Sequence, residues 1–151
     1  MKTVIILTAI LAYSIALPTF GTLQSAGVMG RLLCQGKPYV NAKVKLYDID
    51  TLDVDDLMAE GKSDKNGEFR LVGNETEYTT IDPKLNIYHN CEVFIHAQHT
   101  PPDEAIECLR KIEIKIPKDF VAEGPNPGKI FDAGILNLSG KFPGESRDCI
   151  N

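Results

Sequence analysis

The sequence predicts an all-β sandwich of about seven or eight short strands, and three observations carry that prediction. Apolar and polar residues alternate over short stretches and never hold a helical period for long. Gly, Pro and Asn-Gly turn signals separate those stretches at close intervals. Four cysteines, an even number, suit a small domain tied by two disulfides in an oxidising compartment.

Taken in order along the chain, residues 1–16 stand apart. Lys2 supplies a positive charge, an apolar run extends from Val4 to Ala12, and Ser14-Ile15-Ala16 offers the small residues a signal peptidase requires. The run is shorter than the roughly 20 apolar residues that span a bilayer, and no second one follows. A signal peptide over 1–16 and one exported domain over 17–151 are therefore expected, with no transmembrane segment.

A first strand is predicted over 27–34, where Val28, Leu32 and Cys34 share one side and Gly36-Lys37-Pro38 then turns the chain. Residues 40–48 place Val40, Val44 and Leu46 inward against Lys43 and Lys45 outward, the period of a half-buried strand. Asp64-Lys65-Asn66-Gly67 joins 57–63 to 68–72, because Asn-Gly tolerates the positive φ of a tight hairpin turn. Two extended stretches, 85–97 and 109–116, flank a loop with Pro101-Pro102 and form a long hairpin, and at most one short helix falls near 103–108. A loop over 117–128 carries Pro125 and Pro127, and a last strand over 130–138 precedes a tail that reaches Cys149.

Hairpin register constrains the disulfides, since bonded cysteines need Cα atoms within roughly 7 Å. With 85–90 as the first arm, Cys91 and Cys108 bracket the connecting loop and can close it; with 90–97 as that arm, Cys91 lies at the open end. The cleaner alternation of Leu85, Ile87 and His89 favours the first register. Cys91 with Cys108 is thus the expected pair, leaving Cys34 for Cys149.

Charge narrows the partners. The net charge of −5 becomes −6 when Lys2 is removed with the leader, and such an acidic chain lacks the dense basic surface that nucleic acid requires. Lys111 and Lys115 share one strand face, with Lys118, Lys129, Lys141 and Arg147 following. This local basic set is the expected ligand-binding surface, suited to anionic headgroups. Asp48, Asp50, Asp53, Asp55 and Asp56 crowd one loop, but the glycine and distal glutamate of a calcium-binding helix-loop-helix are missing, so a solvated acidic loop is expected. His96 and His99 are three apart and point to opposite faces of an extended strand, which argues against a shared metal, and no metal or other cofactor is expected.

No nucleophile elbow, zinc-protease motif or phosphate loop is present, and disulfide-bonded cysteines cannot act as nucleophiles. The chain is therefore not expected to be an enzyme. Asn74-Glu75-Thr76 and Asn137-Leu138-Ser139 fit the N-glycosylation acceptor, the first just past a strand end at Gly73 and the second facing out of a strand.

A set of ordered motifs spans nearly all of residues 17–151: Gly30-Arg31-Leu32-Leu33-Cys34, Gly36-Lys37-Pro38, Lys45-Leu46-Tyr47-Asp48, Asp55-Asp56-Leu57, Ser63-Asp64 with Gly67 and Phe69, and Ile81-Asp82-Pro83. They continue with Ile87-Tyr88-His89 and Cys91, Cys108 with Arg110-Lys111, Gly134 with Leu136-Asn137-Leu138, and Arg147-Asp148-Cys149. In these the chain resembles the nematode transthyretin-like proteins, departing from them in the long stretch between Cys91 and Cys108. The resemblance implies a secreted, Ig-like, prealbumin-type sandwich. Some members of that family resemble bridging proteins that recognise phosphatidylserine on a cell surface and present it to a receptor. The related purine-pathway hydrolase ends in a Tyr-Arg-Gly-Ser motif that this chain lacks.

The leading expectation is a secreted binding or bridging protein for anionic phospholipid, a small hydrophobic ligand or a protein partner. A signalling or structural protein acting through an exposed apolar interface is one alternative. A hydrolase is the other, and it needs at least two of His89, His96 and His99 to converge.

Overall fold

The computed structural model describes residues 21–50, 54–92 and 108–150, and those residues form two packed sheets. The strands are β1 (Thr22–Cys34), β2 (Lys37–Pro38), β3 (Lys43–Asp48), β4 (Asp56–Lys62) and β5 (Glu68–Glu77). They continue with β6 (Pro83–His89), β7 (Leu109–Lys115), β8 (Ala122–Glu123), β9 (Phe131–Asn137) and β10 (Ser146–Asp148). A 3-10 turn, Lys118–Phe120, precedes β8.

β1 organises the first sheet. It pairs antiparallel with β5 and β2 on one side, and with β8 and, in parallel, β9 on the other. The second sheet runs β10-β7-β6-β3-β4, all antiparallel. Alternation puts Val28 and Leu32 of β1, Val44 and Leu46 of β3, Leu85 and Ile87 of β6, and Ile112 of β7 into one core with Leu138. The two sheets meet at a corner between β4 and β5, where the backbone of Met58 approaches Gly73 so closely that a Cβ there would lie 2.7 Å from the Met58 carbonyl oxygen.

The sandwich, the turn at Asp64-Lys65-Asn66-Gly67 and the alternation in β3 and β7 agree with the sequence. Gly67 has φ of +77°, and Asp64 Oδ1 accepts from the N–H groups of Asn66 and Glu68, so the turn chemistry is local. Four elements differ. Val40 is 45% exposed and not inward, because the Ser63 hydroxyl donates to the Tyr39 carbonyl and accepts from Ala42 N–H, holding 39–42 in a turn before β3 starts. β5 continues to Glu77, so Asn74 lies within a strand opposite Ser25 and does not follow a strand end. β9 joins β1 in parallel, a pairing that no short-range pattern announces. The tail carries the unexpected strand β10, whose Ser146, Arg147 and Asp148 lie opposite Lys111, Arg110 and Leu109.

That last strand corrects the disulfides. The bonds are Cys34–Cys91 and Cys108–Cys149, not Cys91–Cys108 and Cys34–Cys149. The expected hairpin register is the observed one, with His89 opposite Arg110. Cys91, however, is buried with the inward residues of β6 and meets Cys34 at the end of β1, so this bond ties one sheet to the other. β10 lies along the free edge of β7 and carries the chain on to Cys149, which then bonds Cys108. The signal segment 1–16, the Pro101-Pro102 loop and all of the expected short helix near 103–108 except Cys108 lie outside the described residues; of the arm 90–97, only residues up to 92 are described.

Digestion of the oxidised protein without reductant, followed by mass spectrometry, should recover peptides linked Cys34 to Cys91 and Cys108 to Cys149. A linked Cys91–Cys108 peptide would contradict the strand order given above.

Candidate functional site

The disulfide end of the sandwich is built on Arg110, the last inward-facing residue of β7 before the core runs out. Its Nε and Nη2 donate to the two oxygens of Glu145 at 2.6 and 2.7 Å. Nη1 donates to the carbonyls of Cys91 and Leu138 at 2.9 and 3.1 Å, and Nη2 also to that of Gly140 at 2.5 Å. The planar fork thus finds five acceptors on three other segments. The bond from Arg110, above all, holds the Glu145 carboxyl down to about 2.

His89 stands opposite Arg110 in β6 and is 1% exposed. Its Nδ1 accepts from Cys91 N–H at 3.2 Å, and the ring meets Tyr39 edge-on with centroids 6.1 Å apart. Burial first, and the nearby Arg110 charge second, push it down to about 4. The ring is therefore neutral at physiological pH, with its proton on Nε2, an atom that has no hydrogen-bond partner among the described residues.

Around this cluster the predicted basic residues divide. Lys141 and Arg147 come together, lining a cleft of about 520 Å³ with Glu92, Arg110, Glu145 and Ser146. Arg147 Nη1 is oriented by the Cys108 carbonyl at 3.1 Å. Lys111 and Lys115 share the outer face of β7, as expected, but Lys111 is paired to Glu113 at 2.8 Å. Lys118 is at the other end of the sandwich, paired to Asp82 at 3.2 Å. Lys129 is exposed in the loop leading to β9 of the first sheet, apart from the rest. The set is therefore not one patch.

The register supplies cations that the sequence left unassigned. Lys62, Lys43, Tyr88, Lys111 and Ser146 lie side by side across β4, β3, β6, β7 and β10, in one row at the disulfide end. Lys43 is outward in the sequence pattern, but its neighbours follow from strand order, which alternation does not encode.

The opposite end is acidic. Oxygens of Asp48, Asp50 and Glu77 lie within 4.8 Å of one another, offering hard donors to a divalent cation. Asp48 is 2% exposed, and burial raises its pKa. Its Oδ1 accepts from Asp82 N–H at 2.6 Å. Asp55 instead pairs with Lys84 at 2.7 Å, so the crowded loop is divided between two partners. Asp53, His96 and His99 lie outside the described residues.

A third feature is an open groove of about 650 Å³ on the outer face of the first sheet, lined by Met29, Arg31, Arg70, Asp132 and Ile135 among others. The pairing of β9 with β1 slips between Met29 and Arg31, and Gly134 takes φ of +74°. This bulge turns Ile135 outward, where it is 66% exposed. Asn74 and Asn137 are both exposed, and Asn137 Oδ1 accepts from Ser139 N–H at 3.2 Å.

Residues 29–117 match the model of the "Transthyretin-like family". The chain is 49% identical to transthyretin-like protein 5 of Caenorhabditis elegans over 148 residues, covering 97% of this chain and 98% of that protein. It is 49% identical to transthyretin-like protein 33 of the same organism over 129 residues, 85% of this chain and 83% of the other. With transthyretin-like protein 2 it shares 40% over 142 residues, 90% and 89% of the two chains.

Acidification should remove stability in two stages. His89 titrates near 4 in the fold against 6.5 ordinarily, so the unfolded chain binds the proton first and stability declines as pH falls from 6.5 to 4. Glu145 contributes stability that is present above 4.5 and lost as pH falls toward 2. Urea unfolding of His89→Gln should lack the upper stage, worth on the order of 3 kcal/mol. A variant whose stability still declines like wild type between pH 6.5 and 4 would refute this assignment.

Proposed function

The chain belongs to the transthyretin-like family, and on that premise we propose that it is an exported, non-enzymatic binding protein that engages anionic phospholipid headgroups, phosphatidylserine foremost, on cell surfaces. The observation that carries this reading is the row Lys62, Lys43, Lys111 at the end that also holds Lys141 and Arg147. Each cation near an anionic membrane contributes on the order of 1 kcal/mol. For a protein of net charge −5, such binding needs cations gathered at one end in excess of the carboxylates there, of which Glu113 pairs with Lys111 and Glu145 with Arg110. Asp48, Asp50 and Glu77 lie at the far end. Two disulfides favour an oxidising destination, consistent with the signal-like segment 1–16.

A second reading has its own observation. The groove beside Met29 and Ile135 has about 650 Å³, within the usual size range of small-ligand sites, and its exposed apolar side chains suit a hydrophobic ligand. Its open form favours an elongated molecule lying against the sheet.

Flotation with vesicles of phosphatidylcholine, with and without phosphatidylserine, tests the first reading. The protein should float only with the anionic vesicles and detach as salt rises. Lys43→Glu with Lys111→Glu should weaken recovery at least about tenfold, while Lys129→Glu changes it little. Equal recovery on both vesicle types would overturn the lipid reading.

A further inference from the structure

We propose that Asn74 and Asn137 both carry N-linked glycans, and that the two glycans stand on one face of the sandwich, the outer face of the first sheet, with the open groove between them. Both asparagines meet the acceptor rule, with Glu75 and Leu138, not proline, at the middle position and a hydroxyl two residues on. The register settles where they point. In the pairing of β5 with β1, Leu71 lies opposite Val28 and Asn74 opposite Ser25. Val28 and Leu71 are in the core, so Ser25 and Asn74, three positions away on their strands, face out. In the parallel pairing of β9 with β1, Leu136 lies beside Leu32 and packs inward, and the next pair, Asn137 with Leu33, therefore faces out. Sites from two distant strands thus share a face. Along β1 they are separated by the eight steps from Ser25 to Leu33, about 26 Å at about 3.3 Å each, and Met29 and Arg31 of the groove lie midway.

Neither site gives up a native contact when sugar is attached. Among the described residues no group bonds the Asn74 side chain, and Asn137 uses only Oδ1, which accepts from Ser139 N–H at 3.2 Å. Both residues are exposed, so a sugar on Nδ2 enters solvent and breaks no hydrogen bond. In the transfer, Nδ2 bonds the anomeric carbon of an oligosaccharide held on a lipid pyrophosphate. The bond from that carbon to the pyrophosphate oxygen breaks, the lipid pyrophosphate leaves, and one amide proton passes to a base of the transferase. At Asn137 transfer precedes folding, because in the fold the hydroxyl of its acceptor motif, Ser139 Oγ, accepts from Gln35 N–H at 2.7 Å. A bulky, solvated group at each end of this face obstructs a flat macromolecular partner there and leaves the groove of about 650 Å³ to a small molecule. The row of Lys62, Lys43 and Lys111 belongs to the second sheet, whose strands carry no acceptor motif. The inference rests on export of the chain and not on lipid binding.

Intact-mass spectrometry of the full chain expressed with its own leader in insect cells tests it. Protein from the medium should carry two glycans, Asn74→Gln and Asn137→Gln one each, and the double variant none. Peptide:N-glycosidase should return the wild type to the polypeptide mass, with aspartate recovered at positions 74 and 137. Secreted protein bearing sugar at one site or at neither in most molecules would overturn the proposal and leave export standing. A chain held in the cytosol with its leader uncut would overturn both.

Discussion

Arg110 sits where the core of the sandwich gives out, and the disulfide end is assembled around its guanidinium. Burying that charge would be costly without full compensation. It is compensated by the Glu145 carboxylate and by carbonyls from the segments that follow β6 and β9. Those segments have other ties, Leu138 N–H to the Leu33 carbonyl and Gln35 N–H to the Ser139 hydroxyl, both at 2.7 Å, but among the described residues the Arg110 fork is the one group that joins both segments to β7. Past Leu138 the chain is a polar connection, with Phe142 as its partly buried apolar contribution to the core. The two disulfides restrain the same region, yet they do a different job. Cys34–Cys91 joins the sheets and Cys108–Cys149 fixes β10 to β7, but neither supplies donors to the Leu138 and Gly140 carbonyls.

The position of this arginine links the fold to its surface chemistry. Neutral His89 is confined beside it, and the cleft bearing Lys141 and Arg147 takes its shape from the Glu145 and Gly140 contacts. Strand order does the rest: running β4-β3-β6-β7-β10 aligns lysines from distant parts of the chain at one end. The same antiparallel order delivers Asp48, Asp56 and Asp82 to the other. An acidic chain thereby gathers lysines at one end without any basic run in its sequence.

Much of the fold is legible locally. The Asn66-Gly67 turn, the alternation of Val44 and Leu46 with lysines, and the isoleucines of 112–116 each report their own strand, since side-chain direction in a strand is fixed residue by residue. What escapes is non-local. β10 is three residues long, with Ser146 and Arg147 exposed, so it has no apolar period to betray it. Missing it misassigns both disulfides although the neighbouring hairpin register is right. Val40 fits an inward alternation but is turned out by Ser63, a residue 23 positions away in the chain. Of the candidate surface, Lys111, Lys141 and Arg147 are found from the sequence. Lys43 and Lys62 join them only through pairing, and Lys129 shows that nearness in sequence is not nearness in space. Glu77, the third member of the Asp48 and Asp50 cluster, belongs to another strand altogether.

Amide hydrogen exchange of Arg110→Met against wild type tests most directly whether this guanidinium organises the disulfide end. Methionine keeps the bulk of the stem and removes the donors, and Arg110→Lys retains the charge without the fork. Both variants should lose protection across residues 138–149, by on the order of tenfold or more, while β3 and the first half of β6 exchange as before. Unchanged protection of 138–149 in Arg110→Met would show that the disulfides and the strand pairing order this end without the guanidinium, and would contradict the account.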